Sequence, residues 1–189
     1  DTIGRGLGSD LYFEHIGYSC TIIAFYLLPI LFYRKENIFD IFKNFFSNKN
    51  NQYLISLFLI YLLYLLFFHN FEGERDLGKG FISKISKFLF EGGALQKIFI
   101  YFSFFISWII ILIYFNNSLK DKLIIFYFFL VTTVTWPVLQ EYYDPLIILL
   151  SFTFFNSKIF LNYKSSIFLF FYLFIFLIFS NIYYYNLFN

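Results

Sequence analysis

The feature that most constrains this chain is a succession of long apolar runs almost empty of charge. Runs of about 17–25 apolar residues read as membrane-crossing helices, because the hydrocarbon layer is about 30 Å thick and a helix rises about 1.5 Å per residue. Six runs qualify: Gly17–Tyr33, Tyr53–Phe68, Ile98–Phe115, Leu123–Leu139, Pro145–Leu161 and Ile167–Tyr184. Isolated strands cannot satisfy their backbone in lipid, so helices are the only admissible reading. The fifth run is the weakest, with Asn156 and Lys158 near its end; the Lys158 ammonium can snorkel to the interface. Composition agrees. The chain is 60% hydrophobic and 28% aromatic, with 14% charged residues, against about 25% charged in soluble domains. Such a chain cannot cover itself with polar surface in water. Its net charge of +2 is too small for a nucleic-acid partner. The expected architecture is an all-α, polytopic membrane helical bundle of about six transmembrane helices, with short interfacial amphipathic helices, forming a single transmembrane region over residues 1–189.

Cys20 is the single cysteine, so no internal disulfide can form and cysteine says nothing of compartment. Methionine is absent, even at position 1, and the head "DTIGRGLGSD" is polar and glycine-rich, unlike a signal peptide. The expectation is a C-terminal fragment of a longer protein, entered in mid-loop.

Lysine and arginine placement sets the expected orientation. Arg34, Lys35, Lys43 and Lys49 follow the first run, Lys120 and Lys122 the third, and Lys158 and Lys164 the fifth. These loops are assigned to the cytoplasm. The head, the Phe71–Lys97 loop, the "QEYYD" turn and the tail then share the outer face. The Phe71–Lys97 loop has five basic residues, but four acids accompany them and the loop is long.

Two loops carry amphipathic stretches. In "FISKISKFLF", Phe81, Ile82, Ile85, Phe88 and Leu89 fall at helical spacing, with Lys84 and Lys87 opposite. That pattern predicts a basic helix lying in the outer interface. In "IFDIFKNFF", Phe39, Phe42, Phe45 and Phe46 are set against Asp40 and Lys43 on the inner side. Such helices serve as anchors or meet the phosphate of a lipid substrate.

Three polar segments hold the candidate chemistry. The head places Arg5, whose planar fork suits phosphate, among glycines at 4, 6 and 8, with Asp10, Glu14 and His15 before the first run. The glycine spacing matches no phosphate-loop pattern, and a solvated loop accounts for it equally well. The segment "HNFEGERDLGKG" gathers Glu72, Glu74, Arg75, Asp76 and Lys79 between glycines. Close carboxylates can raise a pKa and make a general base, and Arg75 and Lys79 can neutralise a phosphate leaving group. A charged surface loop is the competing explanation. The third segment, "WPVLQEYYDPLIILL", is bracketed by Pro137 and Pro145, which break the helices on either side. Asp144 can cap the following helix, and Tyr142 and Tyr143 suit the headgroup layer. Gln140 and Glu141 are left without a structural role and mark one wall of a site. With only His15 and His69, and no paired-cysteine or HExxH spacing, no metal site is demanded. Hard carboxylates can still hold a divalent cation.

The turn Glu141-Tyr142-Tyr143-Asp144-Pro145, set between two apolar helices, resembles the late "E-R-Y-x-x-P"-like turn of polytopic glycosyltransferases with the GT-C fold. The outer loop and helix "GKGFISKISKFLFEGGALQKIFIY" is similar to loops of that class. A tyrosine replaces the usual arginine of the turn, and the acidic residues of the family's first outer loop fall before Asp1. The resemblance implies sugar transfer from a polyprenyl-phosphate donor at the outer membrane face, with the catalytic base upstream. Arg5, Glu72, Arg75, Lys79, Gln140, Glu141 and Tyr142 are the substrate-binding candidates, and the partners are a lipid-linked sugar donor and membrane lipids. Rival classes are a lipid or small-solute transporter, which wants ionisable residues in mid-helix, a non-catalytic membrane subunit, and a membrane acyltransferase built on His15 or His69.

Overall fold

A computed structural model describes residues 11–32, 38–68, 79–90, 93–115, 118–134 and 163–188. Among them are seven helices and no strand: α1 (Glu14–Leu31), α2 (Ile38–Ser47), α3 (Lys49–Phe68), α4 (Gly80–Leu89), α5 (Ala94–Phe115), α6 (Leu119–Val134) and α7 (Tyr163–Phe188). The all-α expectation holds.

Four helices are long and apolar enough to cross a membrane: α1, α3, α5, and α7 over Tyr163–Tyr183, with mean hydropathies of 1.3, 1.8, 2.5 and 2.2. This is consistent with an integral membrane protein. The expected fourth run, Leu123–Leu139, overlaps α6, whose described part covers 16 residues to Val134; the remainder of that run lies outside the described residues. The expected fifth, Pro145–Leu161, lies outside the described residues. The four long helices begin upstream of their apolar runs, at Glu14 against Gly17, Lys49 against Tyr53, Ala94 against Ile98 and Tyr163 against Ile167. The reason is that a first turn can be polar and still helical, since its amides need no intrahelical partner.

Helix α1 is the hub. It runs parallel to α5: the Tyr18 ring meets Phe104 edge-on at 5.0 Å, and between two and three turns further along both helices the Tyr114 hydroxyl donates to the Leu27 carbonyl at 3.4 Å. The glycine at 17 is what lets α5 come this close, because a Cβ there would overlap the Phe104 ring. Helices α3 and α6 run the opposite way. Tyr64, near the end of α3, packs edge-on against Phe13 at 5.7 Å. Trp108 of α5 stacks on Phe58 at 4.9 Å and donates to the Leu54 carbonyl at 3.3 Å. The Tyr12 amide donates to the Thr133 carbonyl, near the end of α6, at 2.8 Å. Helix α7 lies against Phe25 through Tyr172 and Phe176, at 4.9 and 4.6 Å.

These contacts place the start of α1, the end of α3, the start of α5 and the end of α6 at one end of the bundle. Helix α2 sits at the other end, between the end of α1 and the start of α3. Its last carbonyls are capped from α3: Asn51 Nδ2 donates to the Phe45 carbonyl at 2.9 Å, and Gln52 Nε2 to that of Phe46 at 2.8 Å. The core runs through Tyr18, Ile22, Leu27, Leu65, Phe104, Ile111 and Phe115, all fully buried. Outward faces of α3, α5 and α7 expose Leu66, Phe67, Phe102, Phe170 and Phe179, an apolar surface of the extent that marks contact with a membrane.

Both amphipathic stretches are helical as the spacing predicts, but neither buries its apolar set as one face. In α2, Ile41 and Phe45 are buried while Phe39 is 82% exposed. In α4 both sets are divided. Ser83 and Ser86 are buried while Lys87 is exposed, and Phe81 and Ile82 pack inward while Ile85, Phe88 and Leu89 face outward.

Candidate functional site

A cluster of buried polar groups, Glu14, His15, Thr132 and Thr133, forms where α1 begins. The chain enters α1 without a side-chain cap at Phe13, so its first amides must find partners elsewhere. One is supplied by α3. The Tyr61 hydroxyl donates to the Phe13 carbonyl at 2.8 Å and accepts from the Gly17 amide at 3.1 Å. Phe13 and Gly17 are the pair that would close the first full helical hydrogen bond. The phenol is therefore inserted into the ladder, a known way to loosen or bend a helix start.

Within this opened turn stand Glu14 and His15. Glu14 is 4% exposed and His15 is fully buried. His15 Nδ1 lies 3.2 Å from the Thr132 carbonyl. A carbonyl only accepts, so Nδ1 carries the proton and donates. The other ring nitrogen, Nε2, lies 3.9 Å from Glu14 Oε1. The Tyr12 ring stacks on the imidazole at 4.9 Å, with 16° between planes, which fixes the ring's tilt as the carbonyl fixes its rotation. Ser19, also fully buried, follows one turn on along the face of α1 that carries His15. Thr132 and Thr133 return their hydroxyls to their own helix, on the Phe129 and Leu130 carbonyls, both at 2.8 Å. Their side chains thus cost little to bury, and Thr132's carbonyl is left for the histidine.

The arrangement is an imidazole and a carboxyl held side by side, excluded from water, with one imidazole nitrogen committed to a carbonyl. The remaining nitrogen stands 3.9 Å from the carboxyl, within reach of charge attraction but beyond hydrogen-bond distance. Burying such groups is costly unless they are partnered: the Thr132 carbonyl of α6 takes the imidazole proton, while Tyr61 of α3 holds the opened turn at Phe13 and Gly17.

Of the residues expected to bind substrate, Arg5, Glu72, Arg75, Gln140, Glu141 and Tyr142 lie outside the described residues, as do Asp10, Glu74, Asp76 and His69. Lys79 is described: it immediately precedes α4 and is 5% exposed. Glu14 and His15, noted in the sequence as companions of the head loop, with His15 also the candidate of the acyltransferase reading, form the centre of the buried cluster. Tyr61 and Thr132 are contributions that sequence reasoning missed. Tyr61 carried a weak signal, a polar tip within an apolar run. The role of Thr132 is played by its backbone, which no side-chain pattern reveals. Among the described residues, no three His, Cys, Asp or Glu side chains gather to hold a metal ion.

No protein-family model, curated protein or solved structure matches the chain.

Proposed function

We propose that this chain is the membrane region of a glycosyltransferase of the GT-C type, which transfers a sugar from a polyprenyl-phosphate donor to an acceptor hydroxyl at the outer membrane face. The observation that carries the reading is the convergence at one end of the bundle. The helix ends that lead into the head, the Phe71–Lys97 loop and the "QEYYD" turn lie together there, beside the buried Glu14–His15 pair. The head and the "QEYYD" turn are poor in basic residues, against the lysines of the alternate loops, and the five basic residues of the long Phe71–Lys97 loop are accompanied by four acids; this supports an outer position for that end.

In this reaction the acceptor oxygen attacks the anomeric carbon of the donor. A new glycosidic bond forms, the bond from carbon to phosphate oxygen breaks, and the acceptor proton passes to a base. Arg5, Arg75 and Lys79 stabilise the charge of the departing lipid phosphate. Glu72, Gln140, Glu141 and Tyr142 orient the sugar and the acceptor. The Glu14–His15 pair supports the wall of the site from behind.

The experiment is a transfer assay on the intact membrane protein in vesicles, with a radiolabelled polyprenyl-phosphate hexose as donor. Arg75→Ala and Glu141→Ala are each expected to lower turnover by about 10²-fold or more, the scale of one lost transition-state contact. Full activity in both variants removes the assignment.

A further inference from the structure

We propose that α4 is a re-entrant half-helix, standing upright beside α5 with its outward apolar face against the hydrocarbon chains of the bilayer, and not an anchor lying flat among the headgroups. The inference needs no assumption about sugar transfer.

Contacts along α4 give its direction. At its start, Gly80 adopts φ +66° and abuts the Ile22 side chain of α1. The Phe81 ring lies 5.0 Å from Phe25 and 6.1 Å from Phe176. At its end, Gln96 Nε2 donates to Ser86 Oγ at 3.1 Å, and the Phe90 ring lies 5.4 Å from Phe99. Ile22 and Phe25 are in the middle of α1, whereas Gln96 and Phe99 are in the first turns of α5. Because Tyr18 is level with Phe104, Gln96 stands about 12 Å above that level and Ile22 about 6 Å below it, at about 1.5 Å per residue. A flat helix cannot touch both levels. One standing upright and antiparallel to α5 can: its ten residues rise about 15 Å, and the Ile22 and Gln96 side chains reach across the rest.

The distribution of side chains agrees. Ser83 and Ser86 face the bundle, with the Ser86 hydroxyl donating to the Ser83 carbonyl at 2.7 Å. Small hydroxyl residues are the ones that let membrane helices approach closely. Ile85, Phe88 and Leu89, at 40%, 82% and 54% exposure, face outward. They continue the exposed apolar surface of Leu95, Ile98 and Phe102 on the neighbouring α5. A headgroup-level anchor would turn its whole apolar face down onto the bundle. Here Ser83 and Ser86 are turned into the protein while Ile85, Phe88 and Leu89 face outward, the preference of a helix whose solvent is hydrocarbon; Lys87 is exposed near the upper end, where a long side chain can snorkel to the interface. Lys84 is accommodated along the flank, its Nζ 5.9 Å from the centre of the Tyr183 ring, a separation at which the ring face attracts the cation.

Depth measurements decide it. Ile85→Cys and Leu89→Cys, each made in a Cys20→Ala background, are spin-labelled in the full chain reconstituted into phosphatidylcholine vesicles. Accessibility to oxygen and to a water-soluble nickel chelate then gives label depth. Both positions are exposed, so the labels are tolerated by the fold; Phe88→Cys serves as a third position. The expected result is preferential access of oxygen at each position, with the Ile85 label about 6 Å deeper than the Leu89 label, four residues at about 1.5 Å each. Equal depths at the headgroup level would overturn the proposal, because they describe a flat helix. Labels shielded from both reagents would overturn it too, since another protein surface and not lipid would then cover the face.

Discussion

Gly17 shows how one atom positions the site. It sits between the two functional neighbours of the α1 start: its amide binds the Tyr61 hydroxyl, and its bare Cα faces the Phe104 ring. Gly17→Ala sets two effects against each other. Alanine gains about 1 kcal/mol of helix propensity over glycine, while overpacking a filled core costs about 1–3 kcal/mol. The Phe104 ring is fully buried and held edge-on by Tyr18, so it has little room to retreat. Overlap wins, and the variant is expected to be less stable by about 1 kcal/mol in denaturant unfolding in micelles. Adding Phe104→Leu should recover part of the loss; a Gly17→Ala protein as stable as the parent would contradict the packing described. Nothing in the sequence distinguishes this glycine from one that merely ends a loop, because the atom it makes room for lies on another helix.

At the scale of elements, helix existence is written along the chain and helix placement is not. Apolar windows give α1, α3, α5 and α7 to within a turn, and the spacing of phenylalanines and lysines gives α2 and α4. The windows are silent on which face of a short helix turns inward. For α4 the same alternation serves a headgroup anchor and a lipid-facing half-helix, and only the surrounding helices choose between them. Helix α2 offers a check on how such short pieces are tied down. Asn51 caps its end through the Phe45 carbonyl, while Asn51 Oδ1 has no hydrogen-bond partner among the described residues. Asn51→Ala therefore loses one bond and relieves one unsatisfied acceptor, so its cost stays near or below about 1 kcal/mol. That corresponds to up to about fivefold faster amide exchange in the last turn of α2, with α5 unchanged. Exchange that rises equally in both helices would mean the cap supports the whole bundle and not α2 alone.

For the whole molecule, the bundle predicts sidedness pairs that do not depend on which face is outer. Leu11 and Leu95 lie at one end and Phe39 at the other, at 61%, 65% and 82% exposure. Single cysteines at these three positions, probed in sealed vesicles with a membrane-impermeant maleimide, should react from one side for the first two and from the opposite side for the third. Labelling of Leu11→Cys and Leu95→Cys from different sides would break the parallel arrangement of α1 and α5. The charge pattern alone already suggests this grouping of ends. The Glu14–His15 cluster stays hidden from it, because the Thr132 carbonyl that takes the histidine lies 117 residues from it along the chain and Tyr61, which holds the turn at Phe13, lies 48 residues from Phe13; only folding brings them together.

That separation has a consequence for how the protein is made. Helix α1 has the lowest mean hydropathy of the four long helices, 1.3 against 2.5 for α5, and it carries two ionisable groups in its first turn. Its principal neighbours, α5 and α6, are synthesised after it. When α1 leaves the ribosome, neither α5 nor α6 yet exists to receive the imidazole or the carboxyl, and ionisable groups resist burial in lipid. On this ordering α1 reaches its final packing only after α6 has been made to close around it.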